Sequence, residues 1–446
     1  MHSIVTFRVF RSLSRLVGAH ALLLGLTAHA GPSLDQALAR HRALLDLDAN
    51  ETIGFAPLTA WPDGAALVLG GPEDDVPYFL EPTLRGRGGA RFMATPWPGT
   101  DSERGTKLRL GLNLSDRPSA VDALEGSALS TALGPGQAYV SVEPRHWGPG
   151  WAGSLIVDAA APALPAFGWR KSSATQFQVP WLSWLGPWNA DFFISRLSGH
   201  ETPSRPQLVG MRVQVRPLQG LELGVSRTMQ WGGKGRDNGL RALVNALVGR
   251  DNGPTPDQDP GNQLAGFDGR YSFDVAGGSG ALYGQFVGED EAGLMPAQWL
   301  GQLGMEWATQ GSGRSVRVFG EYADLIAGHI TGEPHYGSAY RHHAYQQGYT
   351  HGGLPLGHPV GGDARLASAG VIYDSGRLGT LVSLHAGRAA ATSQRFAPEA
   401  KLAGVNAAAT FELEPGSRVG VGLWWWRAGA GTSTAAVQAW WHTALP

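Results

Sequence analysis

From Lys107 onward, apolar and polar residues alternate with a period of two. Leu108, Leu110, Leu112 and Leu114 alternate with Arg109, Gly111, Asn113 and Ser115. Met211, Val213 and Val215 alternate with Arg212, Gln214 and Arg216, and after a turn at Pro217–Gly220, Leu221, Leu223 and Val225 alternate with Glu222, Gly224 and Ser226. Successive side chains of a strand point to opposite faces, so each run predicts a strand with one apolar and one polar face. Similar runs meet at Gly277–Gly280, Asp374–Gly376 and Glu414–Ser417, and a last strand is predicted over Ala435–His442. Short turns alternate with long segments such as Gly232–Gly261 and Gly328–Asp363. That layout fits a transmembrane β-barrel, although a soluble sandwich or propeller also alternates. Trp424-Trp425-Trp426 and Trp440-Trp441, near strand ends, read as girdle residues at a lipid interface.

Ahead of Lys107 the pattern differs. Ser33–Asp48 carries Leu34, Leu38, His41, Leu44 and Leu45 on one side of a predicted helix that Ser33 can cap. A second short helix is predicted near Leu58–Leu69, and a weak helical stretch over Ser119–Leu133. Gly70–Thr106 shows no clear element. The expected division is a signal peptide over 1–30, an N-terminal periplasmic helical or plug region over 31–105, and the barrel over 106–446.

Composition supports this picture. Only 16% of the 446 residues are charged, with 35 Lys and Arg against 37 Asp and Glu, so no basic field is available for nucleic acid. There are 64 Gly and 16 Trp, which suits many turns and many aromatic contacts with lipid interfaces or sugars. The absence of cysteine excludes disulfides and thiolate sites. Arg8, Arg11 and Arg15, the apolar stretch Leu16–Thr27 and Ala28-His29-Ala30 have the order of an export signal, with Gly31 as the expected mature start. The apolar stretch falls short of the ~20 residues of a spanning helix.

Enzyme signatures are missing: no G-x-S-x-G, no Walker loop, no H-E-x-x-H. No catalytic residue, metal ligand or cofactor is expected. His329, His335, His342, His343, His351 and His358 crowd one segment, but their irregular spacing fits a hydrogen-bonded loop better than zinc. Glu289 and Glu291 share a strand face, where acids line a wet lumen more often than they cleave glycosides. Trp147 and Trp151 in His146–Trp151, and Trp181 and Trp184 in Pro180–Trp188, sit beside Gly and Pro, which fix the rings at bends. Such rings can stack on sugars. With Gln230, Arg236 and Tyr345 they form the candidate polysaccharide-binding set.

Several stretches resemble the Wzi family of capsule-assembly outer-membrane proteins: WGPGWAGSL from Trp147, PWLSWLGPW from Pro180, LGVSRTMQW from Leu223, PGNQLAGFD from Pro260, YGQFVGED from Tyr283 and HHAYQQGYTHGGLPLGH from His342. Their order fits, from about Glu125 to His358, with Thr59–Pro62 a looser match. Departures occur at His146, where the family tends to have Trp, at Asp158–Ala161, and at the terminal Ala444–Pro446, which lacks an aromatic. The resemblance implies an all-β antiparallel barrel of about 18 strands, with a small helical bundle closing its periplasmic side. It implies a non-enzymatic, lectin-like role in the outer membrane, holding exported capsular or related polysaccharide at the cell surface. The partners expected are that polysaccharide, the bilayer and the polysaccharide export machinery. A channel for small solutes, lined by Arg212, Arg216 and Glu222, is the alternative function.

Overall fold

The computed structural model describes residues 33–49, 64–70, 77, 88–97, 105–115, 120–171, 174–239, 261–292, 295–431 and 433–444. The expected signal peptide lies outside them. Helix α1 (Ser33–Ala49) precedes strands β1 (Gly64–Gly70), β2 (Gly88–Trp97) and β3 (Lys107–Ser115). After the single turn α2 (Ala120–Ala123) come β4 (Ala128–Leu133), β5 (Gly136–Glu143), β6 (Leu164–Arg170), the short β7 (Thr175–Gln176), β8 (Pro187–Arg196), β9 (Gln207–Leu218) and β10 (Leu221–Trp231). Long strands follow: β11 (Gly261–Val275), β12 (Gly278–Ala292), β13 (Met295–Gly311) and β14 (Arg314–Asp324). The two-residue strands β15 (Thr350–His351) and β16 (Leu354–Pro355) form a loop hairpin, and β17 (Ala364–Asp374), β18 (Leu378–Ala389), β19 (Lys401–Glu414), β20 (Ser417–Ala428) and β21 (Ser433–Thr443) complete the chain.

Neighbours in sequence pair antiparallel, and β1 pairs with β21, Ala65 opposite Thr443 through Gly70 opposite Gln438. The sheet therefore closes into an 18-stranded antiparallel barrel, with β7 only lengthening the edge beside β8. Among the described residues every barrel strand has a partner on both sides, as a membrane-spanning sheet requires. One end has tight turns. Ala276-Gly277 and Ser312-Gly313 have positive φ at both central residues, the backbone twist that two-residue hairpins favour. The other end carries the long segments, which marks it as the extracellular side. The predicted phase holds: Leu110, Leu112, Leu114, Leu223 and Val225 face outward, while Asn113, Arg212 and Ser226 are buried in the lumen.

Several expectations are corrected. The barrel begins at Gly64, so the proposed boundary at 105/106 falls within it. The segment read as a second helix holds β1, where Leu69 is 64% exposed outward and Val68 is fully buried inward. Its Ala and Leu content favours a helix locally, but pairing with β2 and β21 decides the conformation. The Ser119–Leu133 stretch is one helical turn followed by β4. Among the described residues, the N-terminal region contains the single helix α1, not a bundle. The Trp triplet alternates with the strand: Trp424 and Trp426 are buried inward and Trp425 alone points out. Likewise Trp440 is buried inside, while the less buried Trp441 beside it takes the outward position.

Candidate functional site

Helix α1 lies across the lumen at the tight-turn end. Its apolar side, Leu34, Leu38, Leu44 and Leu45, is buried. Gly379 of β18 makes room for it, since a Cβ there would sit 2.3 Å from Leu38 Cδ1. Polar contacts fix its rotation. Arg42 pairs with Asp374, Asp35 lies 3.7 Å from Arg418, and His41 Nε2 is 2.9 Å from Ser315 Oγ. Arg270 donates twice to Asp48, 3.0 Å each. Ser315, Asp374 and Arg418 stand beside the tight turns, and Arg270 lies further along β11.

From the opposite end, the β5–β6 loop drops into the barrel. Gln285 holds its backbone, donating to Trp147 O at 2.6 Å and accepting from Leu155 N at 2.7 Å. Glu321 accepts from the backbone of Trp151 and Ala152. Gly150 permits this approach, because a Cβ would meet Gly153 O at 2.2 Å and Gln302 Nε2 at 2.5 Å. Trp151 donates through Nε1 to Glu306 at 2.5 Å, stacks on Phe319 and lies beneath the Arg40 guanidinium, 4.3 Å from the ring centre. Arg40 also donates to Gly150 O at 2.7 Å and Pro149 O at 2.6 Å. The helix and the loop thus meet inside the lumen.

The β14–β17 loop, residues 325–363, covers this assembly from outside. Tyr340 donates to Leu155 O at 2.7 Å and Tyr349 to Ile156 O at 2.8 Å, while Asp158 N donates to Leu356 O at 2.7 Å. Glu289, which shares a strand face with Glu291, accepts from Tyr340 N and so anchors this loop. The crowded histidines serve different local bonds: His329 Nδ1 sits 2.5 Å from Asp324, and His351 accepts from Ser198 N at 3.1 Å. Among the described residues, no three of His, Asp and Glu are grouped to hold a metal ion. His146 lies 2.9 Å from Asp158, so two positions that depart from the family pattern contact each other.

The candidate sugar-binding residues fall in three places. Trp147 is 2% exposed and packs on Phe193, and Trp151 is enclosed as described; neither ring can meet a polymer outside. Trp181 and Trp184 lie at the tight-turn end, far from the long loops. Gln230, Arg236 and Tyr345 come together on the extracellular side. The Arg236 guanidinium lies 5.2 Å above the Tyr345 ring, Tyr345 donates to Gly232 O, and Gln230 donates to Gly348 O at 3.1 Å. Tyr345 and Gln230 are buried, so they support the surface and Arg236 presents to it.

The candidate set leaves out the neighbours that complete this platform, although His342 and His343 stand in the histidine-rich segment. His342 and His343 pack ring against ring at 4.5 Å, and His342 contacts Tyr345. Gln347 accepts from Glu201 N and Thr202 N, Gln346 N donates to Thr202 O, and Lys234 N donates to Ser204 O, tying three loops together. Burial, then the neighbouring His343 and Arg236, lower the His342 pKa to about 4, so the ring is neutral at pH 7 and can both donate and accept. The HHAYQQ string marked the residue types, but their convergence with residues 201–205 and 232–238 was not readable from one segment.

The family model described as capsule assembly protein Wzi matches residues 139–438. A Klebsiella pneumoniae protein, described as an uncharacterized 55.8 kDa protein in the cps region, is 39% identical over 155 residues. That match covers 34% of this chain and 31% of the relative's length. The solved Wzi of Escherichia coli, described as a carbohydrate-binding β-barrel of the outer membrane involved in group 1 capsule assembly, superposes with a TM-score of 0.73. It is 24% identical, and the match covers 85% of this chain and 84% of that one.

Proposed function

Because the chain belongs to the Wzi family of capsule assembly proteins, we propose that it binds an exported polysaccharide on its extracellular platform and keeps it at the cell surface. The observation that carries this reading is the convergence of Arg236, which follows β10, with His342 and His343 of the β14–β17 loop: Arg236 and His342 both pack on the buried Tyr345, and His343 packs on His342. The neutral His342 imidazole and the Arg236 guanidinium offer donors and acceptors to hydroxyls, and adjacent ring faces accept the C–H face of a sugar. The carbohydrate binding described for the Escherichia coli protein supports the same role here. The export machinery that delivers the polymer is a further proposed partner.

Each copy needs to bind only weakly. Many copies in one membrane and many repeats in one polymer supply avidity without new contacts. Binding of purified barrel to whole polymer and to its isolated repeat unit tests this: polymer binds far more tightly, and R236A with H343A weakens both. Equal affinity for polymer and repeat unit, or a double variant that binds like the parent, contradicts the proposal. The solute-channel alternative gains no support from a lumen that holds α1 and the β5–β6 loop and is covered by the β14–β17 loop.

A further inference from the structure

Trp181 and Trp184 need a different role from the one their sequence suggested. They lie in a single 3-10 turn, Pro180–Leu185, none of whose residues is buried; Trp181 is 74% and Trp184 68% exposed. No charged residue occurs from Ser172 to Ala190. The turn sits at the tight-turn, periplasmic rim, where Gly186 is pressed against Arg216 O of β9: a Cβ there would lie 2.0 Å away. Its neighbours continue the outward apolar face of the barrel. Phe177 stacks on Trp188 at 4.9 Å, and Phe192, Ile194 and Leu218 are exposed on the adjoining strands. The polar groups are largely satisfied within the turn: Leu182 N donates to Val179 O, Gly186 N to Ser183 O and Ser183 Oγ to Pro180 O, while Pro180 has no N–H to satisfy.

We infer that the Pro180–Leu185 turn is a membrane-interface anchor that seats Trp181 and Trp184 among the head groups of the periplasmic leaflet. The lipid-facing band of the barrel is the interface it extends. An apolar, uncharged turn with its polar groups closed on itself suits that layer, and indole, apolar with one N–H donor, prefers it. A sugar ligand or a soluble periplasmic protein is the competing occupant.

The chain lacks cysteine, so single-cysteine variants report one position. Full-length W184C, spin-labelled in phospholipid nanodiscs, is expected to collide more with oxygen than with a water-soluble nickel chelate. F192C serves as the control on the lipid-facing wall. Nickel accessibility at 184 with lipid-like accessibility at 192 overturns the anchor; nickel accessibility at both overturns membrane placement of this wall itself. Since the label is apolar, a second measurement keeps the native rings. In vesicles of brominated phosphatidylcholine, the fraction of fluorescence quenched is expected to be greater for the parent than for W181F/W184F. Equal quenched fractions overturn the inference.

Discussion

Glu306 of β13 is the point where the plug is held. Its carboxylate accepts from Arg270 at 2.6 and 2.9 Å and from the Trp151 indole at 2.5 Å, and it lies 2.7 Å from Arg317 Nη1. Replacing it with alanine leaves Arg270 its bond to Asp48 but deprives Arg317 of its carboxylate. Arg317 then keeps the His41 ring at 3.1 Å, which is neutral because burial lowers its pKa to about 4. Removing one member of a buried pair costs about 3–5 kcal/mol, since the other charge stays in a poorly solvated place. Urea unfolding of the barrel in lipid vesicles, followed by tryptophan fluorescence, is expected to show a loss of that size for E306A. E306L/R317M removes both charges and is expected to recover most of it. A loss below about 1 kcal/mol for E306A would refute the argument, because it would mean that water in the lumen already solvates these charges.

Other outcomes follow from the same geometry. Planar-bilayer recordings of the intact protein are expected to show no large steady conductance, and deletion of Ser33–Ala49 to raise it; an open intact pore contradicts a lumen closed by α1. Gly420→Ala is expected to cost about 1–3 kcal/mol in urea unfolding, because the added Cβ would lie 2.1 Å from Trp440 Cε2. Burial lowers His358 to about 4, below the ordinary value of 6.5, so the unfolded chain binds the proton more readily. The 325–363 loop therefore keeps this stabilisation above pH 6.5 and loses it as pH falls toward 4; proteolysis of that loop is expected to rise over this window, and less steeply in H358Q.

Strand phase was legible because each barrel strand has lipid on one side, and lipid demands apolar residues at alternate positions whatever the partner. Helix α1 was legible from its apolar stripe. The rest depends on contacts between distant segments. β1 takes its conformation from β2 and β21, and its alternation of Ala and Val inward with Leu outward carries no polar mark of the lumen. Trp147 and Trp151 looked like surface aromatics because Gly and Pro flank them. In the fold those residues let the loop descend to Gln285, Glu306 and Glu321. A run of three Trp masks the alternation that sends Trp424 and Trp426 inward, so the sequence alone points to a girdle. Of the candidate site, Arg236 and Tyr345 converged, since the long loops that carry them share the extracellular end, while Trp181 and Trp184 belong to a turn at the opposite end.

The central claim is that this barrel retains polysaccharide at the cell surface. The direct measurement is cell-attached against shed polymer in a strain lacking the gene and in the same strain carrying R236A/H343A. The account predicts unchanged total polymer with most of it shed in the deletion, and a shift toward shedding in the double variant at normal barrel abundance. Unchanged attachment in the deletion strain would contradict it.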